Sequence, residues 1–328
     1  MRCLNLAEAL MARGAACGML ATPATAKVLG AFAGPGLERI DLEAAPPESL
    51  VAAARAAAEP WGADVLVVDH YRMDAWHERR LAEATRTLAV IDDLADREHA
   101  CALLVDPGLG RTEEQYRPLT PAGARLLTGP GYALLAPAYA KARARALKTR
   151  RTEAPPRRLL VSLGLMDLLG ITGRVLHLIQ AHLADLEVDV VVGGASGSLP
   201  WLRHLATRTP GLRLHVDTRE MAKLISAADI GVGAGGSSTW ERAVLGLPSL
   251  LLVLADNQHD LAVELGRRGA VIAVQADGAK GFTESVPQAF ERLLGDAALR
   301  RSLSETSATL CDGQGASRVA DAVLGLAG

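Results

Sequence analysis

Aromatic side chains are scarce in this chain: Trp, Tyr and Phe together supply 3% of its 328 residues. That is too few for a platform on which nucleic-acid bases stack. Excess charge of either sign is also missing. Lys and Arg number 35 against 37 Asp and Glu, a formal net charge of −2, so no basic footprint awaits a phosphate backbone. Nucleic acid is therefore not an expected partner. Long apolar runs are absent too. The longest, around residues 250–255, falls far short of the ~18 residues of a membrane span, and no charged-then-apolar leader opens the sequence. A membrane is not expected as a partner either. The cysteines, Cys3, Cys17, Cys101 and Cys311, are scattered without a Cys-x-x-Cys pair. That suits reduced thiols, mostly in cores, and a cytoplasmic location. No Gly-x-x-x-x-Gly-Lys-Ser/Thr stretch occurs, which argues against an ATP P-loop. His70, His77 and His99 lack the spacing of zinc ligands. Asp92, Asp93 and Asp96 match no standard divalent-metal loop, so loop capping is the simpler reading. No metal and no cofactor are expected.

What the chain does have is enough apolar material, 49%, for two packed domains of ~150 residues each. Strand-like and helix-like segments alternate along it, which predicts α/β architecture with largely parallel sheets. The first half reads as helix over 1–13, strand over 15–20, helix over 22–32, strand over 37–42 and helix over 47–58. It continues with strand over 63–69 running on into 70–71, helix over 74–85, and strands over 88–91 and 102–105. Residues 138–156 are polar and basic and end in Pro155-Pro156, which reads as a solvated helix plus linker. A second alternation follows, with strands over 158–164, 188–192, 212–216, 230–232, 250–254 and 271–274. The helices between them are expected over 175–183, 199–206, 221–227, 240–245, 260–268 and 286–294, with a last one over 316–326. The expected division is a first domain over 1–140, a linker over 141–157 and a second domain over 158–328, whose last helix can pack back on the first domain.

In open parallel sheets ligands gather beyond the carboxyl ends of the strands, and four strand ends here carry polar or glycine residues. The most informative is Gly233-Ala234-Gly235-Gly236-Ser237-Ser238-Thr239-Trp240-Glu241, between an apolar run and a helix that stops at Gly246-Leu247-Pro248. Glycines allow φ > 0 and close approach of a ligand. A helix N-terminus suits phosphate, Ser237 or Ser238 can cap the helix, and Glu241 in the first turn can accept from a sugar diol. The plain alternative is a tight strand–helix turn. Gly231-x-Gly233-x-x-Gly236 also fits the dinucleotide pattern, weakly, since no acidic residue closes a following strand at the usual distance. The second strand end is Val161-Ser162-Leu163-Gly164-Leu165-Met166-Asp167, which offers either amides to a second side of a diphosphate or a turn capped by Asp167. The third is Asp256-Asn257-Gln258, amides suited to a sugar or base edge or to a helix cap. The fourth is Asp69-His70-Tyr71, in the first domain.

These motifs carry a resemblance. The stretch 233–241, with Gly246-Leu247-Pro248-Ser249 and Ala255-Asp256-Asn257-Gln258, resembles the UDP-sugar half of GT-B glycosyltransferase-like proteins. With Val67-Val68-Asp69-His70-Tyr71, Ile91-Asp92-Asp93-Leu94-Ala95-Asp96-Arg97 and Gly129-Pro130-Gly131-Tyr132-Ala133-Leu134-Leu135, the chain is similar to the UDP-2,4-diacetamido-2,4,6-trideoxy-β-L-altropyranose hydrolases of pseudaminic acid biosynthesis. The glycine loop alone also fits the lipid II-forming GlcNAc transferases. The resemblance implies two Rossmann-like doubly wound domains facing a cleft that holds a UDP-sugar. It implies Gly235, Gly236, Ser237 and Ser238 at the diphosphate, Glu241 at the ribose, Asn257 and Gln258 at nucleotide or sugar, and Arg2, Gly164 and Asp167 as further binding positions. Tyr71 would face the sugar as a catalytic hydroxyl. Water would displace UDP with inversion, for a pathway used in surface or flagellin glycans. Two departures stand out. Leu165 replaces a family glycine. The family also opens on a strand and Gly-x-Gly-His-x-x-Arg, whose Arg matches Arg2 and whose general-base His would fall two residues upstream of Met1. A first domain without its first, central strand is expected to be unstable or largely inactive.

Overall fold

The computed structural model describes residues 1–150, 154–167, 170–275 and 278–327, with the backbone alone at 24, 257 and 278–280. The chain divides into two compact units, Met1–Pro137 with Gly313–Gly328, and Ala138–Asp312. In the first unit the order is α1 (Arg2–Met11), β1 (Gly18–Ala21), α2 (Pro23–Phe32), β2 (Glu38–Asp41), α3 (Pro47–Ala58), β3 (Val65–Val68), α4 (Ala75–Leu81), β4 (Thr87–Ile91), β5 (Leu103–Asp106), α5 (Glu113–Tyr116) and β6 (Arg125–Thr128). The chain passes to the second unit through α6 (Pro137–Thr149). There follow β7 (Arg158–Ser162), α7 (Ile171–Leu178), β8 (Glu187–Val192), α8 (Leu199–Arg208), β9 (Leu212–Val216), α9 (Met221–Ala227) and β10 (Ile230–Ala234). Then come α10 (Ser238–Val244), β11 (Ser249–Val253), α11 (His259–Arg267), β12 (Ile272–Gln275), α12 (Gly278–Gly295) and α13 (Ala297–Leu310). The last helix, α14 (Gly315–Ala327), belongs to the first unit.

The second unit is one parallel sheet of order β12-β11-β10-β7-β8-β9. Its strands are aliphatic on both faces, as a sheet covered twice requires. Leu159, Val161, Val188, Val190, Ile230, Val232, Leu250 and Leu252 point to one face. There they are buried with Val175, Ile179 and Leu202 of the α7 and α8 side and Phe282, Val286 and Phe290 of α12. Each such aliphatic side chain contributes about 1.5–3 kcal/mol on full burial. The alternate residues Leu160 and Leu251 are equally buried on the opposite face, where α9, α10 and α11 lie against β7, β10 and β11.

The first unit has two parallel sheets, β1-β2 and β3-β4-β5-β6. The period-2 alternation of a strand divides the larger sheet. Ala89, Ile91, Leu103, Val105 and Leu127 pack with Leu6, Ala9 and Leu10 of α1 and Val319, Ala320 and Val323 of α14. Leu88, Val90 and Leu104 pack on the other face with Leu50, Val51 and Ala54 of α3 and with Tyr116.

Several sequence expectations change. The helix expected over 175–183 begins earlier, as α7, and residues Gln180–Asp185 form a 3₁₀ segment. The strand expected over 63–71 is confined to Val65–Val68, and α12 is twice the expected length. Helix α13 was not expected at all. Residues 313–328, expected to end a second domain over 158–328 with a last helix that can pack back on the first, group with the first unit. The stretch expected to be a solvated helix plus linker, 138–156, runs through α6; Lys141, Arg145 and Lys148 are exposed there, but two of its basic residues are engaged. Arg143 donates to the carbonyls of Val244 and Ala308, and Arg150 to those of Ile225, Ala228 and Leu245. These are the carbonyl-rich ends of α9, α10 and α13, where a cation is favoured. Residues 151–153 of that stretch lie outside the described residues.

Candidate functional site

Chain progression in the second unit reverses between β7 and β10, which are neighbours in register, Gly233 beside Ser162. In an open parallel sheet the carboxyl ends of the strands at such a reversal are where ligands bind. The two loops that leave these strands are the Gly164 loop and the glycine-rich loop 235–237. At the first, Gly164 has φ +107°, a left-handed backbone that suits glycine, and Asp167 has φ +42°. The Asp167 carboxylate is buried and accepts from the Thr172 amide (2.8 Å), the Thr172 hydroxyl (2.7 Å) and the Ser198 hydroxyl. It organises its own turn, with both carboxylate oxygens engaged.

At the second loop the structure corrects how the glycines work. None of Gly231, Gly233, Gly235 and Gly236 has positive φ. Gly231 and Gly233 lie inside β10 and make room for other parts of the unit. A Cβ on Gly231 would meet Leu247 at 2.8 Å, and one on Gly233 would collide with the Arg242 guanidinium. The dinucleotide-like spacing is thus a packing pattern here. A Cβ on Gly235 would press on Gln258 at 3.1 Å, whereas Gly236 faces open space. Neither Ser237 nor Ser238 caps α10: Ser237 stands at the N-cap position in αR conformation with no side-chain hydrogen bond. Instead the Thr239 hydroxyl, inside the first turn, folds back and accepts from the Gly236 amide ahead of the helix at 3.3 Å. Among the described residues the amides of Ser237 and Ser238 have no acceptor, and Gly236 and Ser237 are exposed.

Behind this loop lies a polar group that the sequence did not disclose. Arg242, 2% exposed, donates to the Ala234 carbonyl (2.9 Å), the Ser238 hydroxyl (3.1 Å) and the Thr239 hydroxyl (3.4 Å). Its neighbour Glu241, in the first turn of α10, faces the Tyr139 hydroxyl; burial pushes this carboxyl up, opposed by Tyr139 and Arg242. Gln258 accepts from the Leu254 amide at 3.0 Å, which fixes its side chain beside Gly235. The Asn257 side chain lies outside the described residues.

The first unit gathers a different set. Its β3 and β4 are parallel neighbours in register, Val68 beside Val90, so the residues just past them, Asp69 and Asp93, come together. Arg2, at the start of α1, joins them. It holds Asp69 through two bonds (2.6 and 2.9 Å) and Asp93 through one of 2.8 Å. This engages the guanidinium as a clamp between carboxylates. Burial would raise the Asp69 carboxyl, but the bonds and charge of Arg2 hold it below its ordinary value. Tyr71 is 52% exposed and its hydroxyl donates to Asp93 Oδ2 at 3.2 Å. Burial and the Asp93 charge keep this phenol above its usual pKa. Asp93 Oδ1 is buried without a hydrogen-bond partner among the described residues. His70 accepts from the Arg72 amide at 3.2 Å. Asp92 caps its loop through the Leu94 and Ala95 amides, and beneath it Tyr116 links Asp92 (2.8 Å) to Asp106 (2.7 Å). The signal for Asp69 and Asp93 was present, since both follow a strand; what was missing was the pairing of those strands.

Comparison with known proteins bears on the fold. No family model matches the chain. The spore coat polysaccharide biosynthesis protein SpsG of Bacillus subtilis (strain 168) is 29% identical over 202 residues, 60% of this chain and 57% of that protein's length. The chain thus spans less than two thirds of that relative. Among solved structures, MurG of Acinetobacter baumannii superposes with a TM-score of 0.64 at 15% identity, covering 99% of this chain and 95% of that one. The spinosyn rhamnosyltransferase SpnG, complexed with spinosyn aglycone, gives 0.61 at 19% identity over 97% and 95%. The fold is therefore that of GT-B glycosyltransferase-like proteins, α/β with parallel sheets.

Proposed function

We propose that this chain is an enzyme acting on a nucleoside-diphosphate sugar, with UDP as the nucleotide. The observation that supports it most is the pair of loops at the strand reversal between β7 and β10, where the Ser237 and Ser238 amides have no acceptor among the described residues and Gly236 and Ser237 are exposed. Amides held in place before a ligand arrives stabilise a leaving diphosphate without reorganisation. In this reading Gly235, Gly236, Ser237 and Ser238 hold the diphosphate, Glu241 accepts from the ribose hydroxyls, and Gln258, Asn257 and the Gly164 turn complete the nucleotide site. The work of Asp167 is to shape that turn.

The finer reading is hydrolysis of a UDP-linked diacetamido-trideoxyhexose. Water attacks the anomeric carbon, the bond from that carbon to the β-phosphate oxygen breaks, and UDP leaves with the electron pair. The first unit supplies the proton chemistry. Asp93 takes the proton of the attacking water, with Tyr71 orienting the water, and Arg2 holds Asp93 and Asp69 in place. A relative that serves spore coat polysaccharide biosynthesis supports a product destined for a surface glycan. The second reading, transfer to an organic acceptor, is favoured by the likeness to a rhamnosyltransferase complexed with its aglycone. The test is turnover of the UDP-sugar in ¹⁸O-water with no other acceptor. Hydrolysis predicts UDP release and ¹⁸O at the anomeric hydroxyl. UDP release only after an organic acceptor is added supports transfer, and no release under either condition rejects the enzyme reading.

A further inference from the structure

Arg242 has no role in the sequence motif and none in the nucleotide contacts assigned above, yet it is the most deeply placed cation of the site. Its guanidinium runs directly beneath β10: a Cβ on Gly233 would collide with Nη1 and Cζ. All its hydrogen bonds go to neutral oxygens, the Ala234 carbonyl and the Ser238 and Thr239 hydroxyls. Nε has no hydrogen-bond partner among the described residues. The ionisable groups facing it are Glu241, on the same helix, and Tyr139, from α6. Burial pulls Arg242 down to about 10, with Glu241 and Tyr139 opposing, so it remains a cation at neutral pH. Burying a charge that lacks a hydrogen-bonded counter-ion is costly. An apolar side chain of the same volume would fill the space under Gly233 without that cost. Nor is α10, at seven residues, long enough for its own dipole to charge the loop.

We propose that Arg242 is a positioning residue that gives the glycine loop its charge selectivity. Held under the backbone of 233–236, its cation makes the loop prefer a diphosphate to a neutral ligand. Its grip on the Ala234 carbonyl turns the amides that follow outward. It acts through the loop and does not touch the ligand. This inference rests on reading the loop as a diphosphate seat.

The test is calorimetric titration of the full chain with UDP, inorganic pyrophosphate and uridine. Arg242→Gln keeps a donor for the Ala234 carbonyl and loses the charge. It should weaken UDP and pyrophosphate by about tenfold or more and leave uridine unchanged, and Arg242→Lys should restore both anions to within about threefold. A purely structural role would lower all three ligands together, so an unchanged UDP-to-uridine ratio in Arg242→Gln overturns the proposal. If that variant does not melt cooperatively, Gly233→Ala displaces the guanidinium instead and must lower the same ratio; an unmoved ratio rejects the proposal equally. Wild-type binding of pyrophosphate but not UDP, still dependent on Arg242, retains this inference and removes the nucleotide reading. Binding of neither removes both.

Discussion

The two units present opposite chemistry at the carboxyl ends of their strands. In the second, the strand ends carry glycines, amides with no acceptor among the described residues and a cation buried without a hydrogen-bonded carboxylate. In the first, they carry carboxylates, Asp69 and Asp93, clamped by Arg2 with the Tyr71 hydroxyl on top. One arrangement suits holding an anion and the other suits moving a proton. The same parallel architecture serves both because the loops beyond the strands, and not the strands, carry the chemistry.

The contrast is broken most severely at Arg2. Arg2→Met leaves two carboxylates partly buried without their cation, and unfolding free energy should drop by about 3 kcal/mol, read by denaturant melts. Turnover should fall with it while UDP still binds the folded fraction. A variant that melts like the wild type would show that the clamp contributes nothing. Next comes Tyr71→Phe, expected to lower kcat about 100-fold with the calorimetric affinity for UDP unchanged. A loss of UDP affinity instead would move Tyr71 to the nucleotide side of the comparison.

A third effect is a pH dependence peculiar to the first unit. The Tyr116 hydroxyl has one proton for two carboxylates, Asp92 and Asp106. Burial holds Asp106 up at about 6, against the bonds from Tyr116 and Gly108 and the charge of Arg111. Asp92 is held down: burial would raise it, but the Ala95 amide, Tyr116, Arg97 and His99 win. Asp106 therefore carries the second proton. Since its folded pKa lies above the unfolded value, its contribution to stability is full below about 4 and is lost as the pH rises through about 6. Asp106→Asn, a neutral isostere, should match the wild type near pH 4 and exceed it by about 2–3 kcal/mol at pH 8. Equal stability at both pH values in paired melts would overturn this assignment. The smallest effect is at Glu241. Glu241→Gln should weaken UDP about tenfold and leave pyrophosphate unaffected; equal losses for both ligands would place Glu241 at the phosphates.

The sequence disclosed most of the architecture, because the second unit's strands are short aliphatic runs bounded by turns, and the sheet buries both of their faces. It did not disclose α13. That helix buries Arg300, Ser304 and Ser307 beside Leu303 and Ala308, and polar residues interrupt the apolar stripe that would have marked it. The site was legible in the same uneven way. Gly235 to Ser238 stood out as a loop. Arg242 did not, because a charge on a helix reads as a solvated face until Gly233 is seen to lie over it. Asp69 and Asp93 were visible singly but not as a pair, since their meeting depends on β3 lying beside β4. Ser237 and Ser238 were expected as caps because sequence cannot tell which of three successive hydroxyls, with Thr239, folds back.

In the proposed reading the nucleotide belongs to the loops at the strand reversal of the second unit. Amide hydrogen exchange of the full chain, with and without saturating UDP, tests it most directly. Exchange should slow over 163–167 and 235–241 and stay unchanged over 69–71 and 91–95. Protection over 69–71 and 91–95 with 235–241 unchanged would contradict it.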